Sequence, residues 1–348
     1  HIGGNCYDRY DEYGILIHQY GPHIFHTNSK RVYDYLSRFT KWYDYSHEVV
    51  GKIHDSEIPI PFNLNSLEMV YGNWAPALEK KLIDSFGEGA KVPILELMNH
   101  EDDDLKEIAA YVYENVFLKY TMKQWGKSPK EIDPAVSGRV PVLLSRDNRY
   151  FQDTYQGIPL RGYTAVFEKM LAFEGIDVRL GCQGKDVLRL EPETDVKVYF
   201  EGKPFDGQVI FTGALDEFFD CRYGRLPYRS LDFQFEHYDK PLYQSHGVVN
   251  YTVSEEFTRI TEFKYLSGQM DTRDTTIVKE YPMPYSGKPG EIPYYAINNP
   301  ENDALFGKYK ALVDRIPGFY LLGRLAEYKY YNIDAIVERA INMAERME

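Results

Sequence analysis

The sequence predicts an α/β protein whose α/β domain is discontinuous, interrupted by a helical insertion and an antiparallel sheet. Three stretches carry that expectation. "EDDDLKEIAAYVYENVFLKYTMKQWG" sets Leu105, Ile108, Ala109, Val112, Val116 and Tyr120 at spacings of three and four, one face of a helix. "GQVIFTGALDEFFD" reads as a strand, a Thr212-Gly213 turn and a short helix, the step at which α/β sheets hold ligands. From "YRSLDFQFE" to "TIVKEYP" the alternation is that of antiparallel strands with one covered face.

The elements follow in order. To about Phe62 the chain is rich in aromatic and β-branched residues, with turn signals at "DEYG" and "YGPH". That predicts short strands and one helix around "SKRVYDYLSRFTKWY". Gly3-Gly4 in "HIGGN" suits either a plain turn or a close backbone approach to a ligand. From Asn65 to about Pro134 the pattern is helical, with Asp102, Asp103 and Asp104 at the positive end of the long helix. "SPKEID" supplies a stop and a restart. Beyond Arg139 come strands and loops, a helix at "GYTAVFEKMLAF" and a compact strand at "GIDVRLG". The tail is the strand "FYLL", a Gly323-Arg324 turn, a tyrosine-rich loop and an amphipathic helix from about Ile333, which Asn332 can cap.

At 348 residues the chain exceeds one typical core, so two or three subdomains are expected. A net charge of −13 argues against nucleic acid or an anionic membrane surface as partner, and means that a phosphate ligand must be met by local arginines. No run of about 18 apolar residues predicts a membrane span. Cys6, Cys182 and Cys221 are scattered and odd in number, which fits a reducing cytoplasm and no disulfide framework. His23 and His26 in "HIFHT" lack a third ligand at matching spacing, so no metal is expected. Neither a Gly-x-Ser-x-Gly elbow nor a cysteine nucleophile setting is present.

Arginine and tyrosine recur together. Arg139 and Tyr150 share one segment, Asn250 and Arg259 another, and Tyr294 and Arg324 stand in two more. Guanidinium forks suit phosphate oxygens, and tyrosine hydroxyls can complete the shell. Each residue alone is also an ordinary surface or structural residue. Tyr120 and Trp125 close the insertion helix, where they can sandwich a base or sugar or simply anchor the helix on the sheet.

The segments "HIGGN", "YGPHIFHT", "YTMKQWG", "RDNRYFQDTYQGIP", "GYTAVFEKML", "FTGALDEFFD", "LPYRSLDF" and "GRLAEYKYYNIDAIV" stand in the order found in UDP-galactopyranose mutases, and the chain resembles that family over nearly its whole length. "YTMKQWG" and "GRLAEYKYYNID" are the specific ones. The resemblance implies a Rossmann-like FAD domain at 1–44, 158–222 and 301–348, a helical domain at 64–137, and an antiparallel substrate domain at 45–63, 138–157 and 223–300. In the family a strand, a Gly-x-Gly-x-x-Gly turn and a helix precede "HIGGN", so the chain is expected to lack one unit of about 30 residues.

By the same resemblance, the activity is interconversion of UDP-galactopyranose and UDP-galactofuranose on reduced FAD, through a covalent adduct of the sugar with flavin N5 and without net redox change. A nucleophile supplied by the cofactor accounts for the absence of a protein nucleophile. Arg139 and Arg259 match the arginines that hold the diphosphate. Tyr150, Tyr294 and Tyr330 match tyrosines around it, Tyr120 the uracil-stacking tyrosine and Trp125 the tryptophan beside the site, with Phe117 and Asn250 also on the substrate side. Gly3, Gly4, Asn5, His23, His26, Arg324, Asn332 and Ile333 match flavin contacts, and Val187 an adenine contact. Asn332 stands where many members carry aspartate, Val116 where an aromatic near the uracil is common, and Arg161-Gly162 where Gly-Gly is common. A cytoplasmic homodimer serving galactofuranose-containing polysaccharides is the biological expectation. The alternatives are an oxidoreductase of the amine-oxidase type and a non-catalytic UDP-sugar-binding fragment.

Overall fold

The computed structural model describes residues 1–126, 128, 141–191 and 197–347. The predicted long helix is one continuous rod with a change of pitch inside it. Asp102 caps it by accepting from the Asp104 N–H at 2.9 Å, and the Lys81 ammonium meets both carboxylates. The α-helix Asp103–Val112 runs into a π-helical turn at Tyr113–Leu118 and resumes as the α-helix Lys119–Trp125. Leu105, Ile108, Ala109 and Val112 are fully buried. Each of the larger three contributes about 1.5–3 kcal/mol by leaving water. They pack with residues of the helices Leu64–Tyr71 and Ala75–Phe86, and against Ile58, Ile60 and Phe62 beneath. Asn63 begins the first of those helices with a reciprocal capping box to Ser66.

The helical unit rests on a seven-stranded sheet, ordered Tyr295–Ala296, Tyr228–Tyr238, Thr275–Pro284, Arg259–Glu262, Val248–Tyr251, Val49–Ile53 and Ser56–Ile60. Neighbours are antiparallel except at one joint, where Val248–Tyr251 lies parallel to Val49–Ile53. There the hairpin Val49–Ile60 meets the later strands edge to edge. The alternation read from the sequence is therefore right for the long strands and silent about this joint.

The α/β elements flank the sheet. Val209–Phe211 pairs in parallel with Phe319–Leu321, and the short helix Leu215–Phe218 follows Thr212-Gly213 as predicted. The C-terminal helix Ile333–Met347 lays Ile333 and Val337 against Phe25, Val32 and Leu36. Those three belong to the strand Phe25–Thr27 and the helix Lys30–Ser37. The "GIDVRLG" stretch is not a strand, and its Ile176, Val178 and Leu180 are exposed. Alternating apolar residues make a strand only where a neighbour completes the ladder, and among the described residues nothing pairs with this stretch.

Candidate active site

A cavity of about 570 Å³ lies where the helical rod, the sheet and the C-terminal helix converge, a size suited to a small-molecule ligand. Its floor is the sheet. Asn250 and Arg259 face each other across adjacent strands, and Arg259 is in turn opposite Glu280. The Arg259 Nε–H donates to Glu280 Oε1 at 2.7 Å, and the Glu280 side chain is 2% exposed. Burial opposes the charge on Arg259, but the neighbouring Glu280 more than restores it and holds the guanidinium well above its ordinary value. Burial pushes the Glu280 carboxyl up, and Arg259 pulls it back. The loop carrying Pro22, His23 and Ile24 comes down onto this pair because Gly21 has φ 78°; a Cβ there would lie 3.0 Å from Glu280 Oε1.

One wall is the end of the helical rod, which presents Phe117, Tyr120, Thr121, Gln124 and Trp125. The π-helical turn sets their phase. Val116 still points into the helical core, Phe117 belongs both to that core and to the cavity lining, and Tyr120 faces the cavity. Burial pushes the Tyr120 phenol up to about 12. Trp125 lies with its ring 6.1 Å from that of Tyr295. Arg229 reaches up from the sheet, donating from Nε to Gln124 O at 2.9 Å and from Nη2 to Lys123 O at 3.3 Å. It thereby satisfies carbonyls at the end of the helix. Gly126, at φ 64°, leaves room for that arginine.

The opposite side joins Tyr294, Tyr295, Tyr330 and Arg324. Tyr294 is pinned by its hydroxyl to Tyr20 O at 2.8 Å. Arg324 donates from Nε to Tyr331 O at 2.7 Å and lies 4.3 Å from the centroid of the Tyr330 ring. Asn332 and Ile333 bring the first turn of the C-terminal helix to the cavity, with Asn332 O accepting the Ile336 N–H. His26 stacks on Phe151 at 3.6 Å and its Nδ1–H donates to Asp153 at 2.9 Å. Burial lowers His23 and His47 to about 3, so both rings are neutral at pH 7. Among the described residues the lining carries the guanidinium groups of Arg259 and Arg324 and no carboxylate.

The family model described as UDP-galactopyranose mutase matches residues 115–330, a span that takes in the aromatic wall, the floor and Arg324. The chain is also 35% identical, over all of its own length and 86% of the relative's, to a UDP-galactopyranose mutase of Mycoplasma genitalium. The chain belongs to the UDP-galactopyranose mutase family. It is 33% identical to a dTDP-fucopyranose mutase of Escherichia coli, over 99% of this chain and 89% of that one. In fold it matches the crystal structure of a reduced UDP-galactopyranose mutase with a TM-score of 0.68 at 16% identity, covering 99% of this chain and 87% of that one. It matches a putative protoporphyrinogen oxidase from Exiguobacterium with a TM-score of 0.55 at 11% identity, covering 100% of this chain and 91% of that one. The architecture is thus the Rossmann-like α/β fold shared with these structures. The protein is an isomerase of the sugar-mutase type. No helix among the described residues is long and apolar enough to cross a membrane.

The cavity gathers most residues that the sequence singles out: Phe117, Tyr120, Trp125, Tyr150, Asn250, Arg259, Tyr294, Tyr330, His23, His26, Arg324, Asn332 and Ile333. Gly3, Gly4 and Asn5 lie outside its lining, in and before a 3-10 turn at Gly4–Cys6. Val187 ends the short helix Gly184–Val187 and is also outside it. Arg139 lies outside the described residues. Among the described residues no cluster of ligand-type side chains could hold a metal ion.

Sequence reasoning passed over His47, Thr121, Gln124, Phe151 and Tyr295 in the lining, and Glu280 behind Arg259. Thr121 and Gln124 could have been found, since each stands four residues after Phe117 or Tyr120 on the same helical face. Phe151 and Tyr295 adjoin residues already chosen. His47 and Glu280 leave no local signal, because strand pairing alone brings them in.

Proposed function

We propose that this enzyme interconverts UDP-galactopyranose and UDP-galactofuranose with reduced FAD and no net redox change. The observation that carries this reading is the cavity's chemistry: among the described residues, two arginines, a ring of tyrosines and no lining carboxylate, in a chain of net charge −13. Such a site attracts a diphosphate locally while the rest of the protein repels it. With its Nε–H taken by Glu280, Arg259 keeps its Nη groups for phosphate oxygens and stabilises the departing UDP. The sequence resemblance assigns Arg139 the same task. Tyr150, Tyr294 and Tyr330 complete the phosphate shell, with Asn250 beside them, and Tyr120 stacks on the uracil near Phe117 and Trp125.

The donor set also fits a flavin. His23 and His26 bring imidazole rings, Arg324 a guanidinium, and the helix start at Asn332–Ile333 backbone N–H groups to a polar heteroaromatic ring. Gly3, Gly4, Asn5 and Val187 extend that assignment by resemblance. When bound and reduced, the flavin supplies the nucleophile for the sugar's anomeric carbon. The protein's own residues hold the UDP, neutralise its charge as it leaves and exclude water behind the aromatic wall. Family resemblance further supports a cytoplasmic homodimer that supplies galactofuranose for surface polysaccharides.

Incubating the flavin-loaded protein with UDP-galactofuranose, with and without dithionite, tests the proposal. Conversion to UDP-galactopyranose only under reduction is the expected outcome. No conversion by the loaded, reduced protein overturns it, and a preference for dTDP-fucose transfers the site to the chemistry named for the E. coli relative.

A further inference from the structure

Lys123 stands in the middle of the helical wall, yet points away from the cavity. Its ammonium is half-buried and donates to Tyr251 O at 2.5 Å, Glu255 O at 2.9 Å and Phe257 O at 3.3 Å. An ammonium has three N–H donors, so this set can satisfy all of them without a carboxylate in contact. The burial is costly and pushes its pKa down, with Glu255 pulling it back and Lys119 adding to the fall. A surface lysine avoids that cost by turning into water, so the arrangement calls for a reason.

The three carbonyls belong to the turn that joins the strands Val248–Tyr251 and Arg259–Glu262. Tyr251 N–H closes the same turn on Thr258 O at 2.8 Å, and the rings of Tyr251 and Phe257 pack at 4.7 Å. One residue beyond its two ends stand Asn250 and Arg259, which face the cavity. On the helix, Thr121 and Gln124 flank Lys123 closely and line the cavity too. One side chain therefore ties the turn that orients the polar floor to the helix that carries the aromatic wall.

Resting on the nucleotide-sugar reading above, we propose that Lys123 is a positioning residue that fixes the separation of the base subsite from the diphosphate subsite. A ligand reaching both walls gains from that fixed spacing, because binding at one subsite presents the other half at high effective concentration. A ligand touching only one wall gains nothing from it. The lysine touches no ligand itself, so its effect is confined to bivalent ligands.

The test compares UDP with its halves, uridine and inorganic pyrophosphate, on the flavin-loaded wild type and Lys123→Met. UDP should bind about tenfold more weakly to the variant, while each half binds within about twofold of wild type. Lys123→Arg, which keeps charge and several donors, should restore most of the UDP affinity. Equal UDP affinity in wild type and Lys123→Met overturns the proposal. A parallel loss for all three ligands overturns it as well, since that is damage to the subsites and not to their spacing. Should Lys123→Met not fold, Lys123→Gln is read by the same ratio. A wild type that binds no UDP refutes the nucleotide-sugar reading instead.

Discussion

The floor and the wall of the cavity are built on opposite principles. On the floor, Asn250, Arg259 and Glu280 are fixed by strand register, and Glu280 is shut away from water behind the arginine that faces the cavity. The wall, Phe117 to Trp125, is held by apolar packing behind it, by Arg229 bonding to main-chain carbonyls at its end, and by Lys123 bonding to carbonyls of the turn after Tyr251. The floor is thus specified by charge and the wall by shape. Changes of chemistry should damage the first, and changes of volume the second.

Arg259→Lys should break the floor most severely. A point ammonium cannot replace a fork that serves Glu280 and a phosphate together, so turnover should fall about a hundredfold or more. Near-normal kcat/KM in that variant would remove Arg259 from the diphosphate. A smaller effect is expected at the wall. Tyr120→Ala should weaken UDP by about 1–3 kcal/mol through lost stacking, and calorimetry showing unchanged affinity would refute the stacking role.

The smallest effect is a matter of pH and concerns the histidines around the floor. Burial lowers His18 to about 4 and His23 and His47 to about 3, against about 6.5 in an unfolded chain. Between these values the unfolded state binds more protons, so the stabilisation is complete above about pH 6.5 and is lost as pH falls toward 4 and 3. Urea unfolding midpoints should therefore decline already between pH 6.5 and 5. His47→Gln should make that decline shallower, and an unaltered slope would show that His47 is not neutral in the folded protein.

The two regions also differed in how legible they were. The helix of the wall is written in local periodicity as far as Val116, but Tyr120, expected on the same face, lies beyond the π-helical turn and faces the cavity instead. Tyr120, Trp125, Arg259 and Arg324 were nameable because the segments around them carry the family resemblance. Glu280 and His47 were not, since a carboxylate twenty-one residues from its arginine and a histidine before a β-bridge become neighbours only once strands pair. The misread "GIDVRLG" makes the same point in reverse. Its alternation is local, but a strand is a relation between two segments.

The π-helical turn at Tyr113–Leu118 makes the wall a matter of counting. Every residue after it owes its bearing to one wide turn upstream. That turn carries one residue more than an α-helical turn, so removing a residue inside it should let it close to an ordinary turn with Tyr120 and Trp125 still at the cavity. Removing one between Lys119 and Trp125 should instead rotate all that follows by about 100° about the helix axis. Deletions a few residues apart therefore belong to different orders of injury: the first takes back a surplus, and the second changes the direction in which its successors look.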